Sequence, residues 1–266
     1  MSGAPLVRAV AVKKVYATGR ASTASGRRVR SVVAVDDVTL DVPAGLTTAL
    51  VGESGCGKST LGRLLLALEP PTSGRVEYRE RDLASMEAGE LRAFRRHAQV
   101  VFQDPFGSLN PRLTVGSMLR EALQVHGLAR GDAAAGRVAE VLERVGLGPD
   151  AAHRYPHEFS GGQRQRVGIA RALSVDPEFI VLDEPVSALD VSVQAQILNL
   201  LRELQRDLRL TYLFVSHDLG VVRNLADRIV VMRAGRVVEM GEADRVLSAP
   251  EQDYTRNLLA AVPRIP

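Results

Sequence analysis

The sequence of 266 residues contains no tryptophan and a single cysteine, and only 4% of its residues are aromatic. One cysteine cannot form a disulfide within the chain or supply an all-cysteine metal or iron–sulfur site, and its scarcity fits a reducing compartment. The composition is otherwise that of a soluble globular protein, with 45% hydrophobic and 24% charged residues. A chain of this length can form one large α/β domain or a core with a subdomain.

Long apolar runs are also absent, since none approaches the ~18 residues of a membrane-spanning helix. The first eight residues lack the pattern of a signal peptide. The net charge is +3, and no lysine-rich block or basic strip interleaved with aromatics occurs. We therefore expect a protein that neither spans a membrane nor binds nucleic acid, and any role at a membrane requires a partner.

The most informative stretch is glycine-rich and has the spacing G-x-x-x-x-G-K-S. It lies between an apolar run at Leu46–Val51, a predicted strand, and Leu61–Leu68, a predicted helix. Its glycines let backbone N–H groups converge on an anion at a helix N-terminus. Lys58 can then reach the β- and γ-phosphates of a nucleotide, and the Ser59 hydroxyl can bind Mg²⁺.

An ordinary glycine-rich turn would match this pattern by chance in about 1% of chains of this length. We therefore predict nucleotide binding here, and we interpret Cys56 as a small loop residue. The predicted nucleotide-binding residues are Gly52, Glu53, Ser54, Gly55, Cys56, Gly57, Lys58, Ser59 and Thr60.

Other segments give a coarse outline of an α/β protein. We predict strands at Val7–Tyr16 and Val32–Val42, the second interrupted at Asp36–Asp37, with a Gly/Ser/Arg-rich connection at Ala17–Ser31. Residues Val115–Gly146 have a helical pattern. Because this middle third is more helical than its flanks, a helical subdomain inserted into an α/β core is expected.

Polar residues follow two further predicted strands. The apolar run Phe179–Leu182 ends in Asp183 and Glu184, and ligands of open α/β sheets bind at the carboxyl ends of strands. Asp183 can hold Mg²⁺ through water, and Glu184 can polarise an attacking water. Two such carboxylates can also simply cap a strand. His217 follows another strand and is a candidate γ-phosphate sensor or a structural histidine.

Two other features have both a binding and a structural interpretation. Ser160–Gln163 precedes a predicted helix at Arg164–Leu173, which makes a second N-terminus able to accept an anion. Tyr16 ends the first predicted strand, where a tyrosine can pack against its neighbours or stack on a nucleotide base.

In this order along the chain, these features resemble an ATP-binding cassette, the ATPase subunit of an ABC transporter. The resemblance extends from about Val7 to Pro263, and its Ser-Gly-Gly-Gln signature beside a phosphate loop is highly specific. It implies an α/β fold, a P-loop NTPase (RecA-like) core with an N-terminal antiparallel β subdomain and an inserted helical subdomain. The matching residues are Gly52–Thr60, Gln103, Ser160–Gln163, Phe179–Glu184, Ser187–Asp190 and His217.

The resemblance also implies roles for these residues. Tyr16 becomes the residue that stacks on adenine, and Asp190 belongs to a loop that reaches across a dimer. Gln103 binds Mg²⁺ and senses the loop that contacts the membrane subunits. The implied sets are Ser59, Gln103 and Asp183 for the metal ion; Lys58, Glu184 and His217 for catalysis; and Ser160, Gly161, Gly162 and Gln163 for the ATP of a partner cassette.

Three stretches resemble the oligopeptide/dipeptide/nickel importers in particular: Gln103–Arg112, Tyr155–Arg166 and Tyr254–Pro263. The shorter of the two ATPase paralogues of that family fits best. Some relatives bind an iron–sulfur cluster in a cysteine-bearing C-terminal tail, and we expect none here because those cysteines are absent.

The resemblance implies ATP and Mg²⁺ as ligands and a peripheral location on the cytoplasmic face of the cell membrane. The implied partners are a second ATPase subunit, for which we favour a paralogue, two transmembrane permease subunits and an extracytoplasmic substrate-binding protein. Alternatives are a nickel or metal-chelate importer and a soluble cassette ATPase, although the latter usually carries two cassettes or a long coiled-coil insertion. A non-hydrolytic regulatory cassette is disfavoured because Glu184 and His217 are present.

The same reasoning divides the chain into three segments. Residues 1–100 contain the β subdomain and the first part of the ATPase core, and residues 101–175 contain the helical subdomain with the signature. Residues 176–266 contain the second part of the core, a hairpin and a short C-terminal helix.

Overall fold

A computed structural model describes residues 4–23 and 26–261, together with the side chains outside residues 18–30 and 105–106. The chain divides into two units. Unit 1 contains the residues before Arg92 and after Tyr212, and unit 2 is Arg92–Tyr212. The three segments predicted from the sequence divide the chain at other positions and stay a prediction.

The described residues of unit 1 form eight strands, four complete helices and the start of a fifth. Its strands are β1 (Pro5–Thr23), β2 (Gly26–Pro43), β3 (Thr47–Val51), β4 (Ser73–Tyr78), β5 (Arg81–Asp82), β8 (Thr211–Ser216, in unit 1 from Leu213), β9 (Arg228–Arg233) and β10 (Arg236–Glu242). Its helices are α1 (Lys58–Leu65), the start of α2 (Ala88–His97), α8 (Leu219–Arg223), α9 (Ala243–Ser248) and α10 (Asp253–Ala260).

Two sheet regions form unit 1. The first is antiparallel, with strand order β2-β1-β4-β5. In the second the order is β10-β9-β3-β8, where β3 and β9 are parallel and β9 and β10 form an antiparallel hairpin. Every residue of β3 is buried, as expected for an apolar central strand.

The connection predicted at Ala17–Ser31 is wrong, because β1 and β2 extend across it as an antiparallel pair with Gly19 opposite Arg30. Strand pairing uses backbone groups, so polar side chains do not prevent it. The interruption predicted at Asp36–Asp37 is present as an irregularity and not as a break, since the register passes from Val35 opposite Lys14 to Val38 opposite Val12 within one strand. Asp37 has a φ of 56° and the register shifts nearby, but β2 continues while Asp36 accepts hydrogen bonds from Lys13 and Arg236.

Unit 2 is mainly helical and contains two adjacent parallel strands. These are β6 (Ala98–Val101) and β7 (Phe179–Asp183). The helices are the rest of α2, α3 (Pro105–Ser108), α4 (Val115–Val125), α5 (Gly131–Arg144), α6 (Gly161–Leu173) and α7 (Val191–Leu208). The helical pattern predicted over Val115–Gly146 thus corresponds to α4 and α5.

The core of unit 2 comes from the apolar faces of these elements. Leu119 and Leu123 of α4, Leu142 of α5, Ile169 of α6 and Phe179 of β7 are all at most 1% exposed. Spacings of three and four residues place such side chains on one face of each helix. Among residues 4–23 and 26–261, no helix has both the length and the hydropathy to span a bilayer.

Candidate nucleotide-binding site

The phosphate loop of unit 1 connects β3 to α1, and its shape requires glycine at two positions. Gly52 has a φ of 151°, and a Cβ there would lie 2.2 Å from the carbonyl oxygen of Met232. Gly57 has a φ of 107°, and its Cβ would lie 2.1 Å from the carbonyl oxygen of Ala34. Any side chain at either position would meet backbone, so the loop packs directly on β2 and β9.

The start of α1 suits an anion. Gly57 is the N-cap and offers no capping side chain, and the first turn contains no acidic residue. The N–H groups of a helix's first turn have no partner within the helix, and the helix dipole favours negative charge there. The loop therefore fits a nucleotide phosphate by its backbone and by its charge.

Lys58 is oriented by the loop that precedes it. Its Nζ donates to the carbonyl oxygens of Gly52 at 2.7 Å and Glu53 at 2.9 Å, and the residue is only 5% exposed. A lysine ammonium has three donors, and the remaining contact is a long one of 3.9 Å to Sγ of Cys56. Two donors thus hold the ammonium in place, and the third can turn toward a phosphate oxygen.

Cys56 is buried within the same loop. Its side chain is part of the core, and burial raises the pKa of its thiol. A protonated, enclosed thiol is a poor nucleophile. This environment agrees with the interpretation of Cys56 as a small loop residue.

Tyr16 lies in β1 with its hydroxyl hydrogen-bonded to Oε2 of Glu69 at 2.6 Å and the Nζ of Lys14 5.2 Å from its ring centroid. Burial and the bond to Glu69 raise the pKa of Tyr16. The contacts with Glu69 and Lys14 show that Tyr16 packs against its neighbours in the folded chain. Stacking on adenine stays a prediction, as does the phosphate-sensing role of His217, which is exposed just after β8.

In unit 2, Glu184 follows β7 in an unusual backbone conformation. Its φ is 47°, a region that non-glycine residues rarely adopt and that is found more often at functional sites. Its Oε2 accepts a hydrogen bond of 3.1 Å from the side-chain amide of Gln103. The structure therefore brings together two residues that the sequence separates by 81 positions.

Asp183, the last residue of β7, is half-buried beside Glu184 in the sequence. Hydroxyl, amide and carboxylate oxygens, as in Ser59, Gln103 and Asp183, are the hard donors that Mg²⁺ prefers. Among the residues that the structure describes, no group of three or more His, Cys, Asp and Glu side chains could hold a metal ion. Mg²⁺ usually keeps several waters and binds substrate phosphates, and its binding by Ser59, Gln103 and Asp183 stays a prediction.

The signature Ser160–Gln163 forms the start of α6. Ser160 is the N-cap and its Oγ accepts from the N–H of Gln163 at 3.4 Å, while the Gln163 side chain accepts from the N–H of Ser160 at 3.1 Å. This reciprocal pair is a capping box. Ser160 is exposed, and α6 has no acidic residue in its first turn. Asp190 is the exposed N-cap of α7.

One residue at the phosphate loop was not identified from the sequence. The hydroxyl of Tyr254 in α10 accepts a hydrogen bond of 3.2 Å from the backbone N–H of Glu53. The two residues are 201 positions apart. No local pattern could have joined them, although Tyr254 begins one of the three stretches that resemble peptide importers.

Comparison with known proteins identifies the family. The ABC transporter family model matches residues 35–187. A glutathione import ATP-binding protein of Salmonella paratyphi A is 54% identical over 89% of this chain, but the chain spans only 38% of that protein's length. An oligopeptide transport ATP-binding protein of Bacillus subtilis is 54% identical, with 88% of this chain and 71% of that protein covered. A peptide import ATP-binding protein of Brucella ovis is 47% identical, with 99% and 80% covered.

Solved structures of ATP-binding cassettes resemble the fold of this chain. A dimeric ATP-binding cassette bound to ADP and phosphate in a post-hydrolysis state has a TM-score of 0.77 at 31% identity, covering 89% of this chain and 98% of that one. A Clostridium perfringens subunit of an ABC transporter complex has a TM-score of 0.76 at 26% identity, covering 98% and 97%. The predicted fold class is confirmed. The chain belongs to the ATP-binding cassette family of ABC transporters.

Proposed function

We propose that this chain is the ATP-hydrolysing subunit of an ABC importer that takes up di- and oligopeptides across the cytoplasmic membrane. The family and the names of the relatives support this function, since those relatives are named for glutathione import, oligopeptide transport and peptide import. These names favour peptides over nickel or metal chelates. The same names also favour a subunit of a transporter over a soluble ATPase that is not tied to transport.

In this proposal the candidate residues have separate tasks. Lys58, Ser59 and the backbone of Gly52–Thr60 hold the nucleotide phosphates, with Tyr16 at the base. Asp183, Gln103 and Ser59 hold Mg²⁺, which neutralises phosphate charge. Glu184 takes a proton from the attacking water, and His217 contacts the phosphate that is transferred.

The observation that carries the hydrolytic part is the placement of Glu184. Its carboxylate follows a buried strand, in a left-handed backbone conformation, and is bonded to Gln103. A general base must be held within hydrogen-bonding reach of the proton that it removes. A backbone conformation that costs about 1–3 kcal/mol persists only where its surroundings impose it.

Assembly completes the proposed site. Ser160–Gln163 would contact the nucleotide of a second cassette, for which we favour a paralogue, and Asp190 lies in the loop expected to reach across that dimer. The Gln103–Arg112 loop would transmit closure to two permease subunits at the cytoplasmic face, and an extracytoplasmic binding protein would deliver the peptide. Ligand-driven closure of this kind assembles a catalytic site and excludes water.

The decisive experiment replaces Glu184 with Gln, which keeps the size and the bond to Gln103 but removes the base. We expect ATP binding to persist while turnover falls by about 10²–10⁴-fold. Glu178→Gln, at the other end of the same strand region, is the charge-matched control and should hydrolyse ATP at the rate of the unmodified protein. Near-normal steady-state hydrolysis by Glu184→Gln would exclude Glu184 as the base.

Transport is tested separately by purifying the chain with its membrane partners. We expect co-purification with polytopic subunits and, after reconstitution with the binding protein, ATP hydrolysis that is stimulated by peptides. Stimulation by nickel or a metal chelate instead would identify the alternative importer. Failure to associate with any membrane subunit would contradict the transport function.

A further inference from the structure

The C-terminal helix α10 reaches the phosphate loop through one side chain. The hydroxyl oxygen of Tyr254 accepts a hydrogen bond from the backbone N–H of Glu53, the second residue of the loop. The carbonyl of the same peptide group belongs to Gly52 and accepts from Nζ of Lys58 at 2.7 Å. A single peptide group is therefore held from both ends, by the loop lysine and by Tyr254.

Tyr254 is itself held in place by unit 1. The guanidinium of Arg233, the last residue of β9, lies 4.9 Å from the centroid of its ring. The two N–H groups just before α10, those of Glu251 and Gln252, donate to the carboxylate of Glu239 in β10 at 2.8 and 3.1 Å. The neighbouring Thr255 is buried. The β9–β10 hairpin thus fixes both the ring and the helix that carries it.

The hydroxyl of Tyr254 is protonated at neutral pH, as an ordinary tyrosine with a pKa of 10.0 would be, and burial raises its pKa further. An N–H group that is hydrogen-bonded makes the carbonyl of its own peptide group a stronger acceptor. That carbonyl is one of the two that orient Lys58. Tyr254 therefore acts on the ammonium through the peptide group between them.

We propose that Tyr254 is a positioning residue for nucleotide binding, which orients the Gly52–Glu53 peptide group and through it keeps Lys58 in place to receive a phosphate. This inference rests on the proposed nucleotide binding at the loop. It makes α10 and the β9–β10 hairpin part of the nucleotide site's support. Displacing α10 would loosen the loop and weaken phosphate binding.

The test compares two tyrosines of unit 1. Tyr254→Phe removes the hydroxyl and keeps the ring under Arg233. Tyr78→Phe in β4 is the matched control, since Tyr78 also carries an arginine, Arg79, 5.5 Å from its ring centroid. Amide hydrogen exchange of the nucleotide-free protein reports the loop directly. We expect faster exchange across Gly52–Lys58 in Tyr254→Phe only, with the melting temperatures of both variants close to that of the unmodified protein.

Nucleotide affinity is the second measurement. In Tyr254→Phe the Kd for ADP and the KM for ATP should each rise about fivefold, the factor for a hydrogen bond of typical net strength, while kcat falls less than twofold. Glu239→Ala, which releases the start of α10, should produce the same loosening, and combining it with Tyr254→Phe should add little. Tyr78→Phe should change neither constant.

Unchanged exchange and unchanged ADP affinity in Tyr254→Phe would overturn the inference. Faster exchange with normal affinity would also overturn it, because Tyr254 would then stabilise the loop without serving binding. Exchange and ADP affinity do not depend on hydrolysis or transport. A chain that fails to hydrolyse ATP but shows both effects would refute the proposed function and leave the role of Tyr254 intact.

Discussion

The side-chain amide of Gln103 donates a hydrogen bond of 3.1 Å to Oε2 of Glu184. Gln103 follows β6 and Glu184 follows β7, and these strands are parallel neighbours. Because the carboxyl ends of parallel neighbours meet at one edge of a sheet, the two side chains are brought within reach of each other. The loop proposed to contact the permeases is thereby connected to the proposed base.

Replacing Gln103 with Ala should lower kcat about fivefold, because the lost hydrogen bond is worth about 1 kcal/mol and orients Glu184. At saturating Mg²⁺, which offsets the loss of the proposed Mg²⁺ contact of Gln103, the same substitution in a Glu184→Gln background should have little further effect. Gln99→Ala is the control, since Gln99 Nε2 bonds only the nearby backbone oxygen of Arg95 among the bonds described. Steady-state ATPase assays compare Gln103→Ala, Glu184→Gln, the double variant and Gln99→Ala with the unmodified protein. Additive losses in the double variant would show that Gln103 acts independently of Glu184.

Two N-caps of unit 2 separate the structural role of Ser160 from its proposed contact with a partner's ATP. Ser160 caps α6, and Thr114 caps α4 by accepting from the N–H of Ser117 at 3.3 Å. Ser160→Ala and Thr114→Ala should each lower the free energy of unfolding by about 1 kcal/mol. Urea denaturation measures this loss.

Only Ser160→Ala should also reduce ATP turnover of the assembled transporter, by roughly 10²-fold if its donor contacts the transferred phosphate. Equal turnover in the two variants would remove Ser160 from the catalytic contact.

Two glycines of α6 should respond to alanine in opposite directions. A Cβ at Gly168 would meet no heavy atom within 4 Å, so Gly168→Ala should stabilise the protein by about 0.4–1 kcal/mol. A Cβ at Gly162 would lie 2.4 Å from Cγ1 of Val193 in α7, so Gly162→Ala should cost about 1–3 kcal/mol. Denaturant unfolding measures both. Adding Val193→Ala should recover stability in Gly162→Ala, and no recovery would mean that the cost lies elsewhere.

The thiol of Cys56 should react slowly with alkylating reagents in the folded protein. The residue is 6% exposed, and burial raises the pKa of its thiol above 9.0, so the thiolate is scarce at pH 8 and increases as the pH rises through that raised value. Mass spectrometry after timed treatment with N-ethylmaleimide measures the rate. Protein unfolded in urea is the control and should be labelled quickly. Comparable rates for folded and unfolded protein at pH 8 would contradict this environment.

The local features of the site could be predicted from the sequence because each lies within one short segment. The phosphate loop, the apolar strand before Asp183 and the helix that follows the Ser160–Gln163 signature depend on neighbours a few residues apart. The length of β1 and β2 could not be predicted in this way. Their polar distal halves pair through backbone groups, which leave no hydrophobic alternation to detect.

The sequence alone indicated the family and predicted a phosphate-binding loop and a candidate base, because these predictions depend only on short-range spacing and residue type. Only the tertiary structure decided that Gln103 bonds Glu184, that Met232 and Ala34 require glycine at Gly52 and Gly57, and that Tyr254 holds the peptide group beside Lys58. These contacts join residues that are distant in the chain. They depend on the order of the strands and the placement of the helices. Local motifs do not specify this arrangement, so it could not be read from them.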